Sequence, residues 1–326
     1  MTDIEQALHF LKAGKLVAIP TETVYGLGAD ADNIQAVERV YAAKNRPTYN
    51  PLIIHIAKAE AMRNWAINIP DLAWRLAKAC WPGPLTLILE RHPRVSKMIT
   101  AQQETVALRI PHHPLTLALL DQFQGGIVAP SANPYGYLSP TTAEHVRKVL
   151  GHKVDYILDG GPCSIGIEST ILYLLEDQPI ILREGFFSAT ALSKILNEPV
   201  FSKGAVSKAI PKNLQAPGSD HSHYAPTKPL YLLDQRALKE KIIAFTQQGK
   251  HYGVLSYTAS EKGMGQDPSV WIQMPLDPTH YAQQLYDCLY KLDNSAIEAI
   301  LVEELPHTEA WLAIQDRLER AARPLT

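Results

Sequence analysis

The stretch from Ile19 to Ile56 constrains this chain more than any other. Apolar Leu16 to Ile19 reads as a strand running into a turn at Pro20. Thr21-Glu22-Thr23-Val24-Tyr25-Gly26-Leu27-Gly28 then supplies hydroxyls, a carboxylate and two glycines. Ile34, Val37, Val40 and Tyr41 follow at helical spacing. Two cations, Lys44 and Arg46, and then Pro47 end that helix, because the residue before a proline is pushed out of the α region. Asn50-Pro51 turns the chain into a second apolar strand, Leu52 to Ile56, whose one polar member is His55. Two strand exits and one helix end therefore deliver hydroxyls, cations, an amide and an imidazole toward one place. That inventory suits a small polar ligand carrying phosphates.

The rest of the chain reads as more α/β structure. Helices are expected near 4–12, 59–66, 71–79, 115–120, 141–150 and 188–196. Strands are expected at 85–89, 105–110, 127–129, 154–158, 171–174 and 180–182. They mix without strict alternation, which points to a mixed, twisted sheet and an α/β fold with α+β character. Trp81-Pro82-Gly83-Pro84 reads as a structural turn, and Pro130-Ser131-Ala132-Asn133-Pro134 as one rich in hydroxyl and amide groups. Prolines and glycines with little periodicity mark a linker over 201–229. From Leu230 strands at 230–233, 252–256 and 299–303 alternate with helices at 236–247, 279–291 and 309–322. The division is thus 1–200, a linker over 201–229, and a smaller domain over 230–326, natural for 326 residues.

Several classes are set aside. A formal charge of −2 gives no global pull toward nucleic acid, so any phosphate site must be local. Cys80, Cys163 and Cys288 show no paired spacing, which fits a reducing cytoplasm without disulfides or a zinc site. The acidic start Met1-Thr2-Asp3-Ile4-Glu5 lacks an apolar core, so no signal peptide is expected, and without a run of 18 apolar residues no membrane-spanning helix is expected. No Walker loop and no Gly-x-Gly-x-x-Gly turn is present. No nucleophile elbow stands out. The chemistry expected is phosphate chemistry run by positioning and charge neutralisation.

Pro20-Thr21-Glu22-Thr23-Val24-Tyr25-Gly26-Leu27-Gly28, Lys44-Asn45-Arg46-Pro47 and Asn50-Pro51-Leu52 occur in that order. Together they resemble the core of the YrdC-like L-threonylcarbamoyladenylate synthases in their long, two-domain form. His223-Tyr224-Ala225-Pro226 and the Asp316-to-Ala322 helix extend the resemblance. It implies a YrdC-like twisted mixed sheet followed by a smaller Rossmann-like α/β domain. It also implies a nucleotidyltransferase that makes threonylcarbamoyl-AMP and pyrophosphate from L-threonine, bicarbonate and ATP with Mg²⁺, for tRNA t6A modification. The downstream partner would be the tRNA threonylcarbamoyl-transfer machinery, with tRNA itself only an indirect partner. By the same resemblance Lys44, Arg46, Ser131 and Asn133 carry catalysis. Thr23, His55, Arg109, Ala129 and Ser169 hold threonine, and Arg46, Asn50, Ser131, Ser139, Arg183 and Tyr224 hold ATP. No protein metal ligand is implied. The segment around His221-Ser222-His223-Tyr224 would fold over the first domain as a lid, although Ala216, Ser219 and Asp220 depart from the family pattern. A double-stranded RNA binder and a carbamoyl-transfer module on another protein stand as rival readings.

Overall fold

Thr2 starts the first helix, α1 (Asp3–Lys12), with a capping box: its hydroxyl accepts from the Glu5 amide, and the Glu5 carboxylate accepts from the Thr2 amide. The computed structural model describes residues 2–175, 178–203, 215–218, 224–258 and 269–322. It divides into two compact units. The first comprises Met1–Tyr135, Pro140–Ser164 and Glu168–Ser219, and the second Gly136–Ser139, Ile165–Ile167 and Asp220–Thr326. Two short segments, 136–139 and 165–167, therefore group with the C-terminal part of the chain.

Among the described residues the first unit is organised on one mixed sheet of eleven strands. The central ones are β1 (Val17–Ile19), β2 (Gly26–Asp30), β3 (Ile53–His55), β5 (Leu85–Arg91), β6 (Thr105–Arg109) and β7 (Ile127–Val128). β4 (Ala66–Ile67) pairs with β5 off the main path. β8 (Tyr156–Ile157) closes one edge, and β9 (Thr170–Tyr173), β10 (Ile180–Arg183) and β11 (Phe201–Ser202) form the other. The spatial order is β11-β10-β9-β5-β6-β3-β7-β2-β1-β8. The period-2 geometry of a strand sorts its side chains. Ala18, Ile54, Leu108 and Val128 enter one core with α2 (Ile34–Lys44), α3 (Asp71–Cys80), α5 (Ala143–Leu150) and α6 (Ala189–Leu196). Val17, Ile19 and Ile127 enter a second core with α1 and α4 (Pro114–Phe123). A third cluster joins Ile53, Ile88, Ala107, Ile171 and Ile180 to Ala216. Burial on both faces explains why the central strands read as apolar runs rather than as alternating ones.

Structure begins sooner after Pro20 than the polar composition suggests, since Gly26 and Gly28 lie in β2. A Cβ on Gly28 would stand 2.8 Å from the Val17 carbonyl oxygen, and one on Gly26 2.9 Å from the Ala129 Cβ. The glycines thus permit tight strand approach rather than a turn. Helix α2 ends at Lys44 because Asn45 turns left-handed (φ 51°), two residues before Pro47 acts. Residues 59–64 form a 3₁₀ helix running into β4, and Thr142 caps α5.

The second unit carries four parallel strands in the order β12-β15-β13-β14. They are β12 (Leu230–Leu233), β13 (Tyr252–Ser256), β14 (Val270–Gln273) and β15 (Ala299–Glu303). The helices are α7 (Gln235–Gln247), α8 (Pro278–Asp293) and α9 (Leu312–Ala321). Asp234 and Asp277 cap α7 and α8 through their carboxylates. The expected C-terminal helix divides into a 3₁₀ turn at Glu309–Trp311 and α9. Within this unit the sequence pattern omits β14; its residues are half-buried to exposed, so no core stripe marks it.

Candidate active site

Lys44 is the last residue of α2 and is almost fully buried, so its place is not that of a solvated cation facing a helix dipole. Its Nζ donates to the carbonyl oxygens of Ser131 and Asn133, both at 2.5 Å. The Lys44 carbonyl accepts from the Tyr135 amide at 2.7 Å. One lysine therefore holds both ends of the Ser131–Asn133 turn. Burial, with Arg46 adding like-charge repulsion, draws the Lys44 pKa well below its ordinary value. Arg46 is buried too: its Nε donates to the Asn50 carbonyl at 3.3 Å and its Nη2 to the Pro51 carbonyl at 2.9 Å. The guanidinium stands 5.7 Å from the Tyr135 ring centre, and the Tyr135 hydroxyl accepts from the Asn50 Nδ2 at 2.8 Å. Tyr135 is a site residue that the sequence reading missed; an aromatic two places after Asn133 was its only signal.

A second cluster forms at the ends of β3 and β6, which run parallel with His55 beside Arg109. Arg109 Nη1 donates to the Thr23 hydroxyl at 2.9 Å, and Nε to the Gly83 carbonyl at 3.3 Å. The Trp81–Pro84 turn, read as purely structural, thus supplies a carbonyl to the site. The Arg109 Nη2 lies 2.7 Å from Glu22 Oε1, an ion pair with both partners buried. Glu22 is the other residue missed. A buried arginine requires a counter-charge, and that requirement could have pointed to the one carboxylate in the Thr21–Gly28 segment. Burial and then the Arg109 charge draw the His55 pKa down to about 3, so the imidazole is neutral at physiological pH. The Thr21 hydroxyl donates to the Val24 carbonyl at 2.6 Å, so the proton of the 2.8 Å Thr21–Thr23 contact comes from Thr23. Thr23 then offers a ligand an acceptor lone pair only. Ala129 is fixed by its amide, which donates to the Ile53 carbonyl at 3.1 Å, and its Cβ abuts Gly26.

Ser169 and Arg183 form a third group. Arg183 donates from Nε to the Ser169 carbonyl and from Nη2 to the Ser169 hydroxyl, each at 3.1 Å. Its Nη1 reaches the Pro217 carbonyl at 3.1 Å. The Thr86 and Ser169 hydroxyls share a hydrogen bond of 2.8 Å. Thr86 lies on β5, which pairs with both β6 and β9, so this link connects the Arg109 strand to the Ser169 segment.

Ser139 and Tyr224 belong to the second unit, and the structure does not group them with the residues above. Ser139 is fully buried. Tyr224 is buried in a left-handed conformation (φ 61°), with the Arg317 guanidinium 5.0 Å from its ring centre and the Tyr286 ring 6.2 Å away. The lid expected around 219–223 lies outside the described residues. Among the described residues no group of three or more His, Cys, Asp or Glu side chains could hold a metal ion. Among them, too, no helix is long and apolar enough to cross a membrane.

Buried cations at strand and helix ends, threonine and serine hydroxyls and a neutral imidazole define an α/β enzyme domain for a small polar ligand and an anionic one. Two family models cover the chain. Sua5_yciO_yrdC, described as "Telomere recombination", matches residues 9–185, and the "Threonylcarbamoyl-AMP synthase, C-terminal domain" matches residues 187–323. The threonylcarbamoyl-AMP synthase of Pyrococcus abyssi is 38% identical over 98% of this chain and 94% of its own length. That of Bacillus subtilis is 39% identical over 98% and 92%. The crystal structure of P. abyssi Sua5 complexed with L-threonine superposes with a TM-score of 0.90, covering 99% of this chain and 95% of that one at 37% identity. The chain belongs to the Sua5/YrdC family of threonylcarbamoyl-AMP synthases, in the two-domain form.

Proposed function

We propose that this chain joins L-threonine, bicarbonate and ATP into threonylcarbamoyl-AMP, releasing pyrophosphate for use of the product in tRNA t6A formation. The observation that carries the reading is the buried Arg109–Thr23 pair beside neutral His55, in a family whose solved relative holds L-threonine. The threonine carboxylate would meet the Arg109 N–H groups not already given to Glu22, Thr23 and Gly83. A neutral imidazole does not compete for that carboxylate and leaves the amine room to lose its proton. Bicarbonate takes up a proton and loses water to give carbon dioxide; the neutral amine adds it, forming an N–C bond, and the amine proton leaves to solvent. A carbamate oxygen then attacks the α-phosphorus while the bond to pyrophosphate breaks. A carbamate anion needs no general base for that step. Lys44 and Arg46 would offset the charge that develops on the phosphates, and Mg²⁺ entering with ATP would add to that neutralisation. Lys44 also fixes the turn that presents Ser131 and Asn133. Asn50 and Arg183 would complete the nucleotide site on the first unit. The product would pass to the tRNA threonylcarbamoyl-transfer machinery, and a cytoplasmic location suits that chemistry.

Purified protein with ATP, Mg²⁺, threonine and bicarbonate is expected to yield threonylcarbamoyl-AMP by mass spectrometry, together with pyrophosphate. Valine, which lacks the hydroxyl, should be roughly tenfold or more worse, since one satisfied buried hydrogen bond is worth about 1–3 kcal/mol. Pyrophosphate release indifferent to threonine would sink the reading, and equal turnover of valine would remove the hydroxyl contact. Arg46→Ala should lower kcat/KM by roughly one to two decades, the worth of a charge-assisted hydrogen bond. Lys58, exposed beyond β3, provides the control: Lys58→Ala should stay near wild type. Equal activities in the two variants would take Arg46 out of the site.

A further inference from the structure

Arg109 is held more tightly than a substrate-binding arginine needs to be. Of its five N–H groups, two have hydrogen-bond acceptors, the Gly83 carbonyl and the Thr23 hydroxyl, and its Nη2 stands 2.7 Å from the Glu22 carboxylate in a buried ion pair. The Glu22 side chain is 3% exposed, and its second oxygen accepts from the His112 amide at 3.0 Å. His112 lies three residues beyond Arg109, past the end of β6. Glu22 thereby ties the Arg109 guanidinium to the backbone that follows its own strand. On its other side Glu22 adjoins Thr21 and Thr23, whose hydroxyl relay ends on the Val24 carbonyl. One carboxylate therefore joins the polar segment after β1 to the exit of β6. It also cancels the formal net charge at Arg109, so a ligand carboxylate meets directed N–H donors rather than a bare cation.

We propose that Glu22 is a positioning residue for amino-acid recognition. It aims the remaining Arg109 N–H groups at the substrate carboxylate and keeps the guanidinium from turning away from it. The inference rests on the assignment of Arg109 to threonine given above. Glu22 touches no reacting atom, so its loss should act on threonine and spare ATP. The cost follows from leaving a buried charge without its partner.

Glu22→Ala is expected to raise the KM for threonine roughly thirtyfold, the lower end for breaking a buried charge pair, while the KM for ATP stays within about twofold. Glu22→Gln retains an acceptor for Arg109 but places an N–H donor against either Arg109 or the His112 amide, so it should rescue only part of the loss. The double variant Glu22→Ala/Arg109→Ala should be no worse for threonine than Arg109→Ala alone, because a positioning residue has nothing left to position. If Glu22→Ala does not fold, as a thermal melt would show, Glu22→Gln is tested in its place against the same criteria. An unchanged threonine KM in the folded Glu22 variant, beside a raised one in Arg109→Ala, would overturn the proposal alone. So would an equal rise in the ATP KM, or losses that multiply in the double variant. An unchanged threonine KM in Arg109→Ala would overturn both this proposal and the assignment of the site beneath it.

Discussion

Lys44→Met is expected to lower kcat/KM for threonylcarbamoyl-AMP formation by about two to three decades and to weaken the fold at the same time. Methionine keeps an unbranched stem in a site that excludes nearly all solvent, so packing is largely retained. What disappears is the donor shared by the Ser131 and Asn133 carbonyls. Each buried acceptor left unmet costs about 1–3 kcal/mol. The turn loses the anchor that sets its distance from α2, and both functional side chains on it are released together. Misplacement by about 1 Å is enough for a hundredfold loss. A pH profile adds a second reading. Burial draws the lysine below its ordinary range; a neutral amine keeps two N–H donors for the two carbonyls but loses the positive charge that would offset the phosphates. Activity should therefore fall as pH rises, earlier in kcat/KM, which reports the free enzyme, than in kcat, where bound phosphates favour the ammonium. A Lys44→Met enzyme within tenfold of wild type, or alkaline limbs that coincide, would reduce Lys44 to a packing residue.

The sequence made the site residues readable as a set but left their partners hidden. Lys44, Arg46 and Arg109 stood out because cations beside turn residues are visible in a linear pattern. Their burial was not visible, and a cation at a helix end gives no hint that Lys44 Nζ donates inward to two carbonyls. Glu22 and Tyr135 escaped for a different reason. Their importance arises from pairing across 87 and 85 positions, to Arg109 and Asn50, and no local period encodes such a contact. The fold followed the same division. Strands buried on both faces announced themselves as apolar runs, whereas β2 was disguised by the glycines that its neighbours require, and β14 by half-exposed side chains. Segments 136–139 and 165–167 group with the second unit although nothing in their composition differs from the chain around them.

Gly185→Ala should lower kcat/KM about a hundredfold, although residue 185 carries no functional group. The backbone there is not left-handed, so alanine meets no conformational penalty, and the whole effect is steric. A Cβ at this position would lie 2.3 Å from the Thr170 nitrogen, 2.6 Å from the Ser169 carbonyl carbon and 2.8 Å from the Thr170 Cα. Every one of these atoms is backbone, which cannot swing aside as a side-chain tip can. The clash must push apart the exit of β10 and the entry of β9. Those two segments carry Arg183 and Ser169, joined by two hydrogen bonds of 3.1 Å. Ser169 is held in turn by Thr86 at 2.8 Å, so the disturbance reaches the strand beside Arg109. Thr170 also exchanges hydrogen bonds with Phe187, its hydroxyl donating to the Phe187 carbonyl and accepting from the Phe187 amide, both at 2.9 Å. That bracket prevents the loop from simply lifting away. Overpacking of this kind costs about 1–3 kcal/mol of stability, while a shift near 1 Å in a substrate-holding group costs about a hundredfold in rate. Gly125→Ala makes the control, because the Cβ there meets only the side-chain ring of Phe123, which can move. Thermal melts and pyrophosphate release measured on both variants separate the two effects. Wild-type kcat/KM in Gly185→Ala would show that the Ser169–Arg183 pair tolerates displacement, and it would remove that pair from the set of groups that hold the substrates.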